Sequence, residues 1–105
     1  MDAGRYEEGV AHLELAYQAA PSSFATRKAL GLAYVWVGRL DEAEPLLRGV
    51  KDIVQELNTW GWWRSTQGET ELAVNAYRMS LRLEPGQTAV QKVLADLVQD
   101  AGSTK

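Results

Sequence analysis

The stretch GETELAVNAYRMSLRLEP, residues 68–85, repeats the pattern of GRYEEGVAHLELAYQAAP, residues 4–21. In both stretches small, large apolar and acidic residues recur in the same order, and a proline follows the opening glycine by 17 positions. Gly38 opens a third copy, 34 positions after Gly4 and 30 before Gly68. A period near 34 residues in a sequence that favours helices predicts an array of repeated helical units.

Composition bounds the functions that this chain can have. Its 105 residues, 46% hydrophobic and 24% charged, suit one ordinary domain with a continuous core. A net charge of −3 lacks the basic excess that DNA or RNA binding usually needs, so no nucleic-acid partner is expected. No apolar run approaches the ~18 residues of a membrane span, so no membrane insertion is expected. If Met1 is the natural start, the expected location is cytoplasmic.

The three-and-four spacing of apolar residues predicts six helices and no strand. Pro21, Gly38, Gly68 and Pro85 are the expected stops between them. The predicted helices are about Arg5–Ala19, Phe24 to just before Gly38, one beginning near Leu40, Ile53 to about Thr66, about Thr70–Leu83, and Thr88 to about Asp100.

Two runs of residues then carry a family resemblance. The first is Leu30, Gly31, Tyr34, Gly38, Ala43 and Leu47, and the second is Trp60, Gly61, Gly68, Ala73, Tyr77, Leu81 and Pro85. Both are similar to the tetratricopeptide repeat, a pair of antiparallel helices. The resemblance implies an all-α, right-handed superhelix whose paired helices approach closely at Gly31, Ala43, Gly61 and Ala73. It divides the chain into a second helix of a partial repeat (1–21), two repeats (22–52 and 53–86), a capping helix (87–101) and a tail (102–105).

The sequence departs from the family pattern in its middle. Arg64 stands where such a repeat usually has an aromatic residue. Four residues are missing between Gly38 and Gly68 relative to a 34-residue spacing, and Gly49 lies in that stretch. We expect a shortened third helix or a tightened turn near residues 48–51.

The first helix lacks the partner helix that a complete repeat would give it. Its apolar face would be covered by further repeats upstream in a longer protein, by self-association through Val10, Leu13 and Tyr17, or by a partner's helix. The sequence leaves these three alternatives open.

The resemblance also implies a concave groove for an extended or helical peptide, lined by the first helix of each pair. Ala25 and Gln55 match lining positions, and the predicted partner-binding residues are Lys28, Leu32, Val35, Trp36, Asn58, Trp62 and Ser65. Trp36 and Trp62 are either binding anchors or packing residues, whereas Trp60 and Trp63 are expected to pack.

One known use of the family, a lysine and asparagine that grip a terminal carboxylate, cannot form here. Lys28 takes the lysine place, but Leu32 takes the asparagine place. What remains is a mostly apolar groove with sparse positive charge from Arg27, Lys28 and Arg64.

The sequence contains few residues of the types that usually carry out catalysis. There is no cysteine, and the lone His12 has no nearby constellation, so we expect no catalytic residue, no metal and no cofactor. The predicted function is a protein-interaction or assembly scaffold that binds a protein or peptide. The alternative is a structural accessory domain of a larger enzyme or of a secretion or assembly machine.

Overall fold

Helices form almost the whole of the computed structural model, which describes residues 3–103. The helices are α1 (Ala3–Ala19), α2 (Phe24–Trp36), α3 (Leu40–Leu47), α4 (Ile53–Thr66), α5 (Thr70–Leu83) and α6 (Thr88–Ser103). No strand occurs in the described range. The all-α prediction of six helices is confirmed, and the predicted bounds of α4 and α5 agree with the structure.

The chain divides into two compact units, and the boundary in the sequence falls between Lys51 and Asp52. In the first unit α1 packs on α2, and α2 packs on α3. In the second unit α4 packs on α5, and α5 packs on α6. Each unit is therefore a helix hairpin with one additional helix.

Both hairpins turn through a left-handed glycine. Gly38 has φ 82° and Gly68 has φ 77°, values that glycine adopts without steric cost. In each turn the residue after the glycine donates its N–H to a carbonyl five positions earlier, which is the Schellman ending of a helix. These bonds join Arg39 to Tyr34 (2.8 Å) and Glu69 to Arg64 (2.9 Å).

The expected shortening of the third helix is confirmed, since α3 has only 8 residues. Arg48 has φ −63° and ψ 127°, Gly49 has φ 86°, and the N–H of Val50 donates to the carbonyl of Leu47 at 3.0 Å. These values describe a type II turn, which needs a residue with positive φ at its third position. Gly49 supplies that residue and ends α3.

Close helix approach at small residues is also confirmed. A Cβ on Gly31 would lie 2.6 Å from Leu47 Cδ2, and one on Gly61 would lie 2.8 Å from Tyr77 Cζ. Both distances are too short for real atoms, so only glycine lets these helices pack at this separation. The fully buried core includes Val10, Val35, Ala43, Leu47, Leu57, Ala73, Ala76 and Met79.

Part of the apolar face of α1 is buried within unit 1. Val10 is 1% exposed, whereas Leu13 and Tyr17 are half-buried. Of the three residues named for self-association, Val10 is therefore not available to a second copy, whereas Leu13 and Tyr17 keep part of their surface, and that alternative stays open.

The last helix packs as a cap along one side. Val90 belongs to a cluster with Ala73 and Tyr77, and Leu94 and Leu97 pack against it, while Val93 and Val98 stay exposed. The predicted tail at 102–105 is helical at 102 and 103. Its last two positions, like residues 1–2, lie outside the described residues.

Candidate partner-binding surface

Three tryptophans of α4 reach the surface of unit 2. Trp62 is 59% exposed, Trp63 is 49% exposed and Trp60 is 36% exposed. The expectation that Trp60 and Trp63 pack stays a prediction, because Trp60 stacks against Arg64 and Trp63 lies beside Trp62, while both rings keep exposed area. Trp62 lies at the surface, as a binding anchor would.

Unit 1 presents a second predicted set on α2. Lys28, Leu32 and Trp36 recur at every fourth position, so they share one side of the helix, and each is half-buried. Val35 differs, because it is fully buried and belongs to the core of the chain. Its assignment to a binding surface was wrong, since a side chain without exposed area contacts no partner.

Asn58 uses its amide donor inside unit 2. Its Nδ2 donates to Gln87 Oε1 at 2.8 Å, and Gln87 Nε2 donates to Ser80 Oγ at 2.9 Å. Ser80 is fully buried on α5, and Gln87 lies just before α6. The predicted binding residue Asn58 therefore links α4 to the start of α6, a role that sequence spacing did not reveal.

Ser65 also directs its donor to its own helix, since Ser65 Oγ donates to the carbonyl of Trp62 at 2.7 Å. Such bonds are common for hydroxyl side chains in helices. Ser65 thus offers a partner no free hydroxyl proton in this rotamer.

Two of the three residues predicted to give the groove positive charge, Arg64 and Arg27, make contacts within their own units. Arg64 Nη1 lies 2.9 Å from Glu69 Oε1, and its guanidinium stacks 5.1 Å from the ring centre of Trp60. Arg27 Nε donates to the carbonyl of Leu46 at 2.9 Å, and its Nη2 donates to that of Arg48 at 3.1 Å. Arg64 is thus paired with Glu69, whereas the carbonyls that Arg27 contacts do not neutralise its charge, so a contribution of Arg27 to the charge of the groove stays a prediction.

A polar cluster joins α1 to the turn of unit 1. Tyr34 Oη donates to Glu14 Oε2 at 2.6 Å, and the Arg39 guanidinium stacks 4.7 Å from the Tyr34 ring centre. Burial and the bond to Glu14 raise the pKa of Tyr34 to about 12. The hydrogen bond from Arg39 lowers the pKa of the Glu42 carboxyl. These contacts stabilise the packing of α1 and present no reactive group.

Among residues 3–103 no three His, Cys, Asp or Glu side chains come together as metal ligands would. In the same range no helix combines the length and the apolar character that crossing a membrane requires.

Helix hairpins with small residues at their contacts, joined by left-handed glycines, define a helical-repeat protein. A family model for the tetratricopeptide repeat matches residues 1–57, which is more than half of the chain and includes the whole of unit 1. The chain belongs to the tetratricopeptide repeat family. Repeats of this family generally mediate protein–protein interaction or scaffolding, and the family is typically non-enzymatic. No curated protein and no solved structure matches the chain.

Proposed function

We propose that this protein is an interaction scaffold that binds a peptide or a helix of a partner protein on the first helix of each hairpin. In unit 1 the contacts come from Lys28, Leu32 and Trp36 on α2. In unit 2 they come from Trp62 on α4, with Asn58 and Ser65 beside it. The observation that carries the proposal is that Trp62 is 59% exposed, although tryptophan side chains are highly buried on average.

Tryptophan suits this role for a physical reason. It buries a large area on binding and loses little conformational entropy, so it is enriched among the residues that dominate binding energy. Trp62 also has Trp63 beside it, with ring centres 6.5 Å apart and planes tilted by 44°. A partner can therefore cover two rings at once.

Selection of linear peptides from a phage-displayed library on the wild-type protein tests the proposal. Selected peptides are then titrated into Trp62→Ala and Trp36→Ala. We expect at least one of these changes to weaken binding by about 2 kcal/mol with little change in melting temperature.

Leu15→Ala is the matched control, because Leu15 is a 65% exposed apolar residue on α1, outside the proposed contacts. Peptides that bind both tryptophan variants as tightly as the wild type would refute the proposal. A large loss of stability with unchanged binding would show that the tryptophans are packing residues.

A further inference from the structure

Both hairpins close through the same two positions of their second helices, α3 and α5. These positions lie 5 and 9 residues after the turn glycine, about one helical turn apart, so they share a side of the helix. Ala43 and Leu47 occupy them in unit 1, and Ala73 and Tyr77 occupy them in unit 2. All four are buried, and the larger residue of each pair lies against a glycine of the first helix. This side of a second helix is thus enclosed in each hairpin by the first helix.

Helix α1 has the register of a second helix, but the same side of it is uncovered. Gly4 corresponds to the turn glycine, so Gly9 and Leu13 take the two closing positions. Among the described residues no atom would lie within 4 Å of a Cβ on Gly9, and Leu13 is only half-buried. Ala16, one turn further on this side, is exposed. We call Gly9, Leu13 and Ala16 the α1 open side.

Helix α6 has the complementary register, that of a first helix. Gly102 follows Gly68 by 34 positions, the spacing that also separates Gly38 from Gly4. In α2 and α4 the residue seven positions before the turn glycine is the glycine on which the second helix packs. In α6 the same place holds Ala95, another small residue.

The surface around Ala95 is uncovered as well. Its equivalents Gly31 and Gly61 are buried in their hairpins. Ala95 is exposed, and Val98, which follows on the same side of α6, is 44% exposed. The contact of α6 with α5 is made on another side, through Val90 and its neighbours. We call Ala95 and Val98 the α6 open side.

The two open sides are complementary in size and in charge. Ala95 is one methyl group larger than the glycine at its place in α2 and α4, and Gly9 is one methyl group smaller than the alanine at its place in α3 and α5. The exchange conserves the summed volume of the small residues across the contact, which is the kind of change that packing tolerates best. None of the five residues of the two sides is charged or polar. The chain therefore carries both halves of a contact that it already makes twice.

We propose that the α1 open side of one copy docks on the α6 open side of a second copy and completes a hairpin between the two molecules. In the register of the chain's own hairpins, Leu13 of one copy lies against Ala95 of the other. Leu47 and Gly31 hold the same relation in unit 1. The two sides differ, so the contact is heterologous and further copies add head to tail. This inference does not depend on the proposed function, because neither side includes a proposed peptide contact.

Sedimentation velocity of the full chain over a range of concentrations tests the inference. We expect the weight-average sedimentation coefficient of the wild type to rise with concentration, because a head-to-tail contact does not stop at a dimer. Gly9→Arg and Ala95→Arg each place a charge on one open side, where docking would bury it unpaired. Each variant alone should therefore associate at least about tenfold more weakly than the wild type. Far-ultraviolet circular dichroism at low concentration confirms that both variants fold.

An equimolar mixture of Gly9→Arg and Ala95→Arg distinguishes this contact from other kinds of association. Gly9→Arg keeps its α6 open side, and Ala95→Arg keeps its α1 open side. The mixture should therefore form a dimer and nothing larger. Ala11→Arg and Ala89→Arg are the matched controls, since both alanines are exposed and lie on the same two helices. Ala11 lies nearly opposite Gly9 around α1, and Ala89 lies about a third of a turn from Ala95 around α6, so both controls should associate like the wild type.

Three results would overturn the inference. The first is a wild-type chain that stays monomeric up to about 1 mM, which would assign the open sides to helices of another protein or of a longer chain. The second is loss of association in Gly9→Arg but not in Ala95→Arg, which would indicate a symmetric contact between two α1 helices. The third is a mixture of the two variants that stays monomeric at concentrations where the wild type associates.

Discussion

The α2–α3 hairpin of unit 1 and the α4–α5 hairpin of unit 2 are built on the same positions, offset by 30 residues, yet their second helices differ in length. α3 has 8 residues and α5 has 14. Gly49 ends α3 in a type II turn, and the equivalent residue in α5 is the fully buried Met79. A glycine therefore stands in the turn of one hairpin at the place where the other continues its helix with a buried apolar residue.

The two hairpins also differ at a position of their first helices that faces the end of the second helix. Arg27 in α2 binds carbonyl groups at the end of α3, and its equivalent in α4 is Leu57, which is fully buried. A helix that stops early leaves carbonyl groups without intrahelical donors. The comparison indicates that an arginine supplies those donors where the helix is short, and that a leucine packs where the helix continues.

The two Schellman turns share their backbone hydrogen bonds but differ in the side-chain contact beside them. In unit 1 the backbone bond of the turn joins the carbonyl of Tyr34 to the N–H of Arg39, the residue after the glycine. The side chains of the same two residues form a cation–π contact. In unit 2 the same places hold Arg64 and Glu69, which form an ion pair. The glycine and the backbone bonds are kept, so the turn itself does not depend on which side-chain contact closes it.

The largest expected effect tests the shared part of the comparison, the close approach of the paired helices. Gly31→Leu and Gly61→Leu should each lower the free energy of unfolding by about 3 kcal/mol through overpacking. The Leu47 side chain opposite Gly31 and the Tyr77 ring opposite Gly61 have no space to withdraw, because both are buried. Urea unfolding followed by far-ultraviolet circular dichroism measures the change.

Gly9→Leu is the control for these two variants. Gly9 lies within α1, and a Cβ there would meet no atom within 4 Å. Leucine favours a helix more than glycine does, so stability should hold or rise by up to about 1 kcal/mol. A loss at Gly9 as large as at Gly31 and Gly61 would contradict the assignment of their effect to helix contact.

The next effect sharpens the difference between the hairpins. Arg27→Ala should lower the free energy of unfolding by about 2 kcal/mol, because it removes charge-assisted hydrogen bonds to the end of α3. Arg27→Lys should restore only part of the loss, since a lysine head cannot reproduce the fork of donors. Urea unfolding of all three proteins gives the comparison, and Arg27→Ala as stable as wild type would show that solvent satisfies these carbonyls equally well.

Much of this fold was predictable from local signals. Helix stops at Gly38, Gly68 and Pro85 depend on the backbone preferences of single residues, which do not change with tertiary context. The missing residues near Gly49 likewise predicted the short α3. For the same reason the bounds of α4 and α5 agreed with the structure.

The candidate site was less predictable, because exposure depends on which neighbours a helix has. Helical spacing places Val35 near Leu32 and Trp36, yet Val35 is buried and the other two are half-buried. The apolar spacing of α4 includes Trp60 and Trp63, yet both rings keep exposed area, and the buried residues of α4 are Ile53, Leu57 and Gly61. Asn58 and Arg27 found partners 29 and 19 positions away, which no local pattern specifies.

The smallest expected effect is a pH dependence of the free energy of unfolding that comes from Tyr34, at the Schellman turn of unit 1. The folded-state pKa of Tyr34 is about 12, above the ordinary value of 10.0, because of burial and the bond to Glu14. Its contribution to stability is therefore complete below pH 10 and is lost as the pH rises from 10 towards 12. Tyr34→Phe should lower the free energy of unfolding by about 1 kcal/mol at neutral pH, since one hydrogen bond is lost.

The same variant should also flatten the alkaline part of the stability profile. Part of the slope should remain, because burial raises the pKa of Tyr77 in unit 2 as well. Urea unfolding at a series of alkaline pH values, with Tyr77→Phe measured beside it, divides the slope between the two units. An alkaline slope that persists unchanged in Tyr34→Phe would mean that the bond between Tyr34 and Glu14 does not stabilise α1 against the hairpin.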